Sequence, residues 1–416
     1  MTFFCERQNF CRYQIFFAIV AAFQFFSSIS VAINTSFLPE GIYSPAIRYG
    51  NISGLDQRYN EKGSLVSLTD VNAIEFDAKT LSKFNSQAQN LITSLNRFGA
   101  FKMGDALNLG VLEIHSSPQI EYTAPILAKG ITNRWTLALG LPVIHYKNQV
   151  QLSQSFSNIN YYKQEFSGLS KDLDTALETN LGESTQQVLQ DKGYRRLENR
   201  DSQFLGDIQL VSLYKLYDRA DWTLILQSTL TLPTGPTYDP DDLLALNNTF
   251  HKTSLENAIA LAKWVTPSWK LIPYVSLKYT LPEKINVRVP EDEDDILPNQ
   301  DTTEAVTRKD GMAYELGLQN AVDISDSFQV SLDYRIGTKD TDRFSGDLKS
   351  RYDLLEKDTL TRWQKTALEF TYSTVKSYFR NSSAIPFIAS INFFDTIAGA
   401  NTERRFGQEI SFTLFF

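Results

Sequence analysis

The chain ends with the residues Phe406-Gly407-Gln408-Glu409-Ile410-Ser411-Phe412-Thr413-Leu414-Phe415-Phe416. Apolar side chains recur at alternate positions, and most of the positions between them are small or polar. A period of two with one apolar face predicts a β-strand that has one side in an apolar medium and the other in water. An apolar strand at the edge of an open sheet would invite aggregation. The stretch therefore favours a sheet that closes on itself, and the alternative is a terminal strand of a soluble β-sandwich.

This ending resembles the carboxyl-terminal signal of bacterial outer-membrane β-barrels, which finish on Phe with apolar residues at alternate positions. The resemblance implies that Ile410, Phe412, Leu414 and Phe416 form an assembly signal. It also implies the outer membrane of a Gram-negative bacterium as the location. The expected partners there are the barrel assembly machinery, membrane lipid and lipopolysaccharide.

The amino end, residues 1–32, has the layout of a cleaved secretory signal peptide. Arg7 and Arg12 precede an apolar run at 15–26, and Ser30-Val31-Ala32 provides small residues for cleavage. The run is shorter than the roughly 20 residues of a membrane-spanning helix. Both cysteines of the chain lie in this segment. The mature protein is therefore expected to be exported and to use no disulfide, thiol chemistry or cysteine-ligated metal.

Residues 33–106 read poorly as membrane strands because turn-forming Pro and Gly residues interrupt them. One weak strand is predicted within 64–76. Asp77 can then cap an amphipathic helix that Gly99 can end, with an apolar stripe of Leu81, Phe84, Ala88, Leu91, Leu95 and Phe98. We expect this segment to form a plug that lies partly inside a barrel mouth, or alternatively a small periplasmic or surface cap.

Residues 107–416 show paired strands whose connections alternate between short turns and long loops, the pattern of outer-membrane barrels. The predicted pairs are 109–123 with 134–146, 204–216 with 221–232, 253–263 with 269–281, 311–322 with 328–337, and 366–372 with 384–394, followed by the last strand. Adding one strand from 64–76 gives about twelve, with a range of 10 to 14. The predicted fold is an all-β transmembrane antiparallel barrel with short turns and both chain ends on the periplasmic side.

The residues within single strands agree with this fold. In 328–337, Phe328, Val330, Leu332, Tyr334 and Ile336 alternate with polar residues or glycine. Such strands approach the 9 to 11 residues that a membrane strand needs. Four of the five tryptophans, Trp135, Trp222, Trp264 and Trp269, lie beside short turns. Because indole prefers the headgroup boundary, we expect these four to be membrane-interface aromatics.

No stretch carries a recognisable catalytic, metal-binding or cofactor-binding motif. The three histidines, His115, His145 and His251, stand outside any G-x-S-x-G or H-E-x-x-H pattern. The sequence therefore predicts a non-enzyme without metal or cofactor and without a nucleic-acid partner. A Ser/His site assembled across strands, as in an outer-membrane hydrolase, is the less favoured alternative.

Charged residues on the polar faces should point into the barrel, where they line a water path or pair with one another. The candidates for lumen and gating residues are Asp333, Arg335, Glu315, Asp207, Lys278 and Glu369. Asp333 and Arg335 are two apart on one strand, so they face the same way. They can pair with each other, with Glu315 or with the plug.

Two stretches extend the resemblance. Gly206-Asp207-Ile208-Gln209-Leu210 followed by Leu232-Pro233-Thr234-Gly235, and upstream Leu139-Gly140-Leu141-Pro142-Val143, resemble outer-membrane transporters of meta-pathway phenol degradation, which are related to long-chain fatty-acid transporters. This implies passive uptake of small hydrophobic or aromatic solutes. The segment 33–106 does not match the amino-terminal hatch of the fatty-acid transporters, and twelve strands are fewer than their fourteen. A surface-exposed binding or adhesion barrel that acts through its long loops is the alternative function.

Overall fold

A computed structural model describes residues 37–67, 74–84, 86–97, 102–166, 168, 181–245, 250–293, 295, 297–348 and 350–416. The predicted signal peptide lies outside these residues. Phe98 and Gly99 of the predicted helix do so too.

The described chain consists mainly of strands. They are β1 Tyr43–Ser53, β2 Gln57–Tyr59, β3 Leu65–Ser67, β4 Ile74–Asp77, β5 Asn108–Thr132, β6 Trp135–Gly140, β7 Val143–Ser155, β8 Arg200–Leu205, β9 Ile208–Asp218, β10 Trp222–Leu232, β11 Ser254–Thr266, β12 Trp269–Thr280, β13 Glu283–Arg288, β14 Thr303–Lys309, β15 Ala313–Asp323, β16 Phe328–Lys339, β17 Arg343–Ser345, β18 Thr361–Ser373, β19 Phe387–Ala400, β20 Thr402–Glu403 and β21 Phe406–Leu414.

The helices are short. They are α1 Ala78–Phe84, α2 Ser86–Arg97, α3 Ile159–Phe166, α4 Leu181–Asp191, α5 Tyr352–Glu356 and α6 Val375–Phe379, with single 3-10 turns at Met103–Ala106 and Gln300–Thr302. Within the described ranges, no helix is both long and apolar enough to cross a membrane.

Twelve strands of the described chain form a closed antiparallel barrel. β6 and β7 act as one barrel strand, because both pair with β5, and β8 and β9 continue one another in the same way. The ring then runs through β10, β11, β12, β15, β16, β18, β19 and β21. β1 closes it, since its residues pair with β21 on one side and with β5 on the other. The prediction of a closed antiparallel barrel of about twelve strands is confirmed.

The barrel has an apolar outside, as the alternating sequence pattern predicts. On β21, Ile410 and Phe412 are exposed, whereas Glu409 and Ser411 line the interior. The same alternation leaves large apolar side chains exposed on the other strands, among them Ile47, Leu127, Leu139, Leu210, Ile259, Val275, Leu316, Leu332, Ile336, Leu368 and Ile391. A contiguous exposed apolar surface of this kind suits a barrel set in lipid.

The two ends of the barrel differ. At the short-turn end, β5–β6, β9–β10, β11–β12 and β15–β16 are joined by two to four residues. At the loop end, longer connections fold into structures of their own. β13, β14 and β17 form one small sheet there, and β2, β3 and β20 form another. Four of the five predicted hairpins thus have short turns. The fifth, between β18 and β19, is joined by residues 374–386, which contain α6.

The first barrel strand differs from the prediction. The sequence suggested a strand within 64–76, but the barrel strand is β1, and only β3 and β4 fall near the predicted stretch. The predicted boundary at residue 107 therefore leaves one barrel strand in the amino-terminal segment. The segment that follows β1 leaves the barrel at the loop end.

The predicted helix is present as α1 and α2, and Asp77 caps it by accepting a hydrogen bond from the Thr80 amide at 2.7 Å. Ile92 and Leu95 of α2 pack with Phe76 of β4, Leu112 of β5 and Tyr162 of α3. These contacts lie on the extension of β5 beyond the barrel. Among the described residues, none of α1 or α2 lines the barrel interior. The role of this segment, a plug or a small periplasmic or surface cap, stays a prediction.

Inward-facing aromatic rings cover glycines on neighbouring strands. A Cβ atom at Gly337 of β16 would lie 2.3 Å from Trp363 of β18, and one at Gly50 of β1 would lie 2.3 Å from Tyr122 of β5. Both contacts are shorter than carbon atoms tolerate. Glycine at these positions lets the ring lie against the neighbouring backbone and pins the strand register.

Replacement of Phe412 by Asp should reduce assembly of the barrel. The change removes apolar contact worth roughly 1.5 to 3 kcal/mol and places a charge against lipid. The measurement is the fraction of protein in the membrane that shows a heat-modifiable gel shift. Thr413→Asp, one residue further on and facing the interior, is the matched control. Equal membrane levels of the two variants would contradict the assignment.

Candidate functional site

The barrel encloses a cavity of about 580 Å³. Its lining extends from Asp323, Asp326 and Phe415 at the short-turn end to Asp310 and Asp342 at the loop end. This cavity is the lumen of the barrel. Of the six lumen candidates from the sequence, Arg335, Glu315, Lys278 and Glu369 line it, whereas Asp333 and Asp207 do not.

Glu315 of β15 is the centre of a polar network across three strands. Its carboxylate accepts a hydrogen bond from the indole N–H of Trp363 at 2.8 Å. Arg335 and Lys365 each approach it at 4.0 Å. Arg335 and Lys365 stand directly opposite each other on β16 and β18. Like charges so placed repel, and the carboxylate of Glu315 offsets this repulsion.

Asp333 and Arg335 form the predicted pair. The Arg335 Nε atom lies 2.5 Å from Asp333 Oδ2, and the Tyr274 hydroxyl lies 3.3 Å from both carboxylate oxygens. Both side chains of the pair are buried. Arg335 lines the lumen and Asp333 does not. Of these two residues, only Arg335 therefore presents its charge to the lumen. The gating role of the pair stays a prediction.

The other three candidates have different surroundings. Lys278 stands opposite Glu256 on the neighbouring strand, and Glu369 accepts a hydrogen bond from Ser331 at 3.4 Å. Asp207 instead sits between β8 and β9 and accepts hydrogen bonds from the amides of Gly235 and His251 at 2.8 and 3.0 Å. Asp207 therefore holds the connection after β10 in place.

The sequence analysis did not identify the charge pairs at the loop end. Lys252 lies 2.6 Å from Asp310, and Arg308 contacts both Asp310 and Glu283. Burial raises the pKa of the Asp310 carboxyl, but Lys252 and Arg308 outweigh it and hold that pKa well below its usual range. Lys339 pairs with Asp342 at 2.6 Å. Lys252 is distant in sequence from Asp310, and Arg308 from Glu283, so no local pattern could have indicated those two contacts.

Two further features of the lumen were also missed. Arg48 of β1 approaches Glu409 of β21 at 3.9 Å. Phe37, ahead of β1, packs against an inward-facing cluster that includes Ile272 and Tyr274. The Leu38 amide donates to Thr136 Oγ1 at 3.0 Å, and Leu38 lines the lumen. Part of the amino-terminal segment, at Phe37 and Leu38, thus enters the barrel.

The four tryptophans all lie at the short-turn end. Trp264 and Trp269 are partly exposed, Trp222 stacks on Tyr217 with ring centroids 5.0 Å apart, and Trp135 donates to Ser212 Oγ at 2.9 Å. Trp363 differs, since it faces the lumen.

The histidines include one contact that looks catalytic. His115 Nε2 lies 3.0 Å from Ser153 Oγ and 3.4 Å from Glu113. In a catalytic triad the carboxylate orients the imidazole through the other nitrogen, but here serine and carboxylate meet the same nitrogen. The contact therefore lacks triad geometry.

The other two histidines are no better placed to act in a catalytic triad. His145 lies between two carboxylates, Glu121 at 3.5 Å and Asp201 at 2.6 Å. The His251 imidazole contacts the Gly235 carbonyl at 3.1 Å. In the described part of the chain, no group of three or more His, Cys, Asp or Glu residues is placed to hold a metal ion.

Comparison with known proteins indicates the fold. No protein-family model matches the chain, and no curated protein matches it. Among solved structures, an outer membrane channel from Pseudomonas putida F1 is 12% identical, with a TM-score of 0.51, and the match covers 93% of this chain and 100% of that one.

Two other structures are more distant. The transport unit of an autotransporter from Escherichia coli is 7% identical, with a TM-score of 0.38 and coverage of 97% and 98% of this chain and that one. The Pseudomonas putida toluene transporter is 10% identical, with a TM-score of 0.31 and coverage of 96% of each chain.

Loss of one partner from the buried pair should be worse than loss of both. Arg335→Gln leaves Asp333 buried without its cation and should cost about 3 to 5 kcal/mol. Asp333→Asn/Arg335→Gln should cost less, because no unpaired buried charge remains. Unfolding in urea measures both, and single-channel conductance shows whether the pair also affects conduction. If the double variant is the less stable one, the pair is not the buried unit described above.

Glu403 at the loop end should make ion selectivity depend on pH. Burial raises the pKa of Glu403 to about 7, although Arg405 and Arg58 oppose this. As the pH falls through this value the lumen loses one negative charge, so anion selectivity should rise. Reversal potentials between pH 5 and 9 measure it, and Glu403→Gln should abolish the step near pH 7. A step that persists in Glu403→Gln would assign it to another group.

The closed antiparallel ring of this chain thus matches the Pseudomonas putida F1 structure at the level of the fold, over 93% of the chain. The chain therefore has the fold of that outer membrane channel.

Proposed function

We propose that this protein is a channel of the bacterial outer membrane through which small hydrophobic or aromatic solutes diffuse passively. The observation that carries the proposal is the lumen, a cavity of about 580 Å³ whose lining extends from the short turns to the loops. A cavity that follows the axis of a closed barrel gives solutes a path across the membrane.

The outer surface supports the membrane location. Exposed apolar side chains cover the barrel strands, and Trp135, Trp222, Trp264 and Trp269 lie together at the short-turn end. Indole rings at one end of an apolar belt fit the headgroup boundary. We assign that end to the periplasm, with lipid and lipopolysaccharide around the barrel and the barrel assembly machinery recognising β21.

The shared fold supports the channel function, because the Pseudomonas putida F1 protein is an outer membrane channel. The main rival is a surface-exposed binding or adhesion protein that acts through its loops and uses the barrel as an anchor. An outer-membrane hydrolase is less favoured, because the contact between His115 and Ser153 lacks triad geometry. We therefore propose a channel that is not an enzyme.

Matched variants on β6 distinguish the channel from a binding or adhesion protein whose barrel is only an anchor. Ala138 lines the lumen, and Leu137, one residue earlier, is exposed on the outside. Ala138→Trp should reduce uptake of a small aromatic solute by cells, whereas Leu137→Trp should not. Single-channel conductance of the purified proteins should follow the same order. Equal uptake by both variants would contradict the channel. If shortening of residues 282–309 also abolishes adhesion of the cells, the loop-based alternative is favoured.

A further inference from the structure

The lumen has two unlike walls. On β1, β5, β6 and β9 a patch of the inward positions is apolar, although Arg48, Thr136 and Gln209 also line the lumen there. Ala46 pairs with Ile126, Ala128 pairs with Ala138, and Ala138 pairs with Val211. All five line the lumen. Because they are cross-strand neighbours, they form one continuous apolar wall.

The opposite wall, on β11, β12, β15, β16 and β18, carries charges. Glu256, Lys278, Glu315, Arg335 and Lys365 all line the lumen. Adjacent charges of opposite sign hold polar solvent, so a wholly apolar solute would have to displace that solvent without replacing its interactions. This wall therefore disfavours a pure hydrocarbon and favours a solute that has a polar or charged group.

Two cations are better presented to the lumen than their carboxylate neighbours. Arg48 has 23% of its side chain exposed against 12% for Glu409, and Lys365 has 24% against 15% for Glu315. The reason lies in the neutral donors that hold the carboxylates back. The Tyr122 hydroxyl donates to Glu409 at 2.6 Å, and the Trp363 indole donates to Glu315 at 2.8 Å.

Arg48 also stands at the edge of the apolar wall, on β1. It is two residues from Ala46 on the same face of β1, so their Cβ atoms lie about 7 Å apart. Its cross-strand neighbours are Ser411 on β21 and Ala124 on β5. A molecule whose anionic group contacts Arg48 could therefore lay an apolar body of several carbon atoms along Ala46, Ile126 and Ala128.

We propose that the solutes of this channel are small amphiphilic carboxylates, with an aromatic or aliphatic body on the apolar wall and the carboxylate at Arg48 and then at Lys365. The inference rests on the proposed channel function and narrows its substrate class. A guanidinium suits this task because it can donate two parallel hydrogen bonds to a carboxylate. Acetate has a carboxylate for Arg48 but no apolar body for the apolar wall. Benzyl alcohol has an apolar body but no negative charge to pair with Arg48.

Electrophysiology on the purified protein in a planar bilayer tests the proposal at pH 8. Benzoate added to a chloride solution should reduce the single-channel chloride current at concentrations at which acetate, benzyl alcohol and benzylammonium do not. Arg48→Gln should weaken this benzoate effect about tenfold, the size of one charge-assisted hydrogen bond. Arg48→Lys should keep part of it.

Two further variants keep the test decisive. Ala128→Asn leaves Arg48 unchanged and alters only the apolar wall, so it too should weaken the benzoate effect. Lys129→Gln removes a cation near Tyr43 that does not line the described lumen, and it should behave like the unmodified protein.

The possible failures are distinguishable. An open channel that responds equally to benzoate, acetate and benzyl alcohol overturns the substrate class and leaves the channel function intact. A benzoate effect that is unchanged in Arg48→Gln and Ala128→Asn overturns the assigned subsite. A protein that is folded in the bilayer but passes no current overturns both proposals.

Discussion

Backbone hydrogen bonding is the constraint on which the whole structure depends. Lipid offers no partner to an N–H or C=O group, so a sheet that crosses a membrane must pair every strand on both sides. β1 meets this need by pairing with β21 and β5 at once. Tyr43 and Phe416 exchange backbone hydrogen bonds of 3.1 and 3.0 Å at the seam. The two ends of the described chain are thus held together, and the apolar terminal strand gains a partner.

Closure also determines what the lumen contains. Because side chains alternate along a strand, each apolar residue directed at lipid places its neighbour inside. Charges placed there need partners. Glu315 and Glu409 contact arginine, lysine, tyrosine and tryptophan side chains of other strands. Asp333 contacts Arg335 of its own strand and Tyr274 of β12. Glu315 and Glu409 accept hydrogen bonds from Trp363 and Tyr122, which leaves Lys365 and Arg48 more exposed to the lumen than these carboxylates. The same packing that stabilises the wall thereby shapes its charge.

The strand pattern was readable from sequence because a two-residue period needs no tertiary information. The eleven strands predicted after residue 107 are all present, with limits that differ by a few residues for most of them. β1 was missed because Pro45 and Gly50 read as turn residues. In the structure Gly50 leaves room for the Tyr122 ring, a reason that depends on a strand 70 residues away. Contacts such as Glu315 with Trp363 depend on strand register and could not be predicted either. One helix was predicted where the structure has α1 and α2, and their place at the loop end follows from the route of β1.

We propose that the barrel interior is the conducting path and that the apolar exterior faces lipid. Single cysteines on β12 test it directly, because the chain has no cysteine after Cys11. Ser276 and Lys278 line the lumen, and Val275 and Leu277 are exposed on the outside. A charged, water-soluble thiol reagent should modify Ser276→Cys and Lys278→Cys in the bilayer and lower their conductance, and it should leave Val275→Cys and Leu277→Cys unmodified. Equal reactivity at all four positions, or modification at 276 and 278 without any change in current, would show that the lumen is not the conducting path.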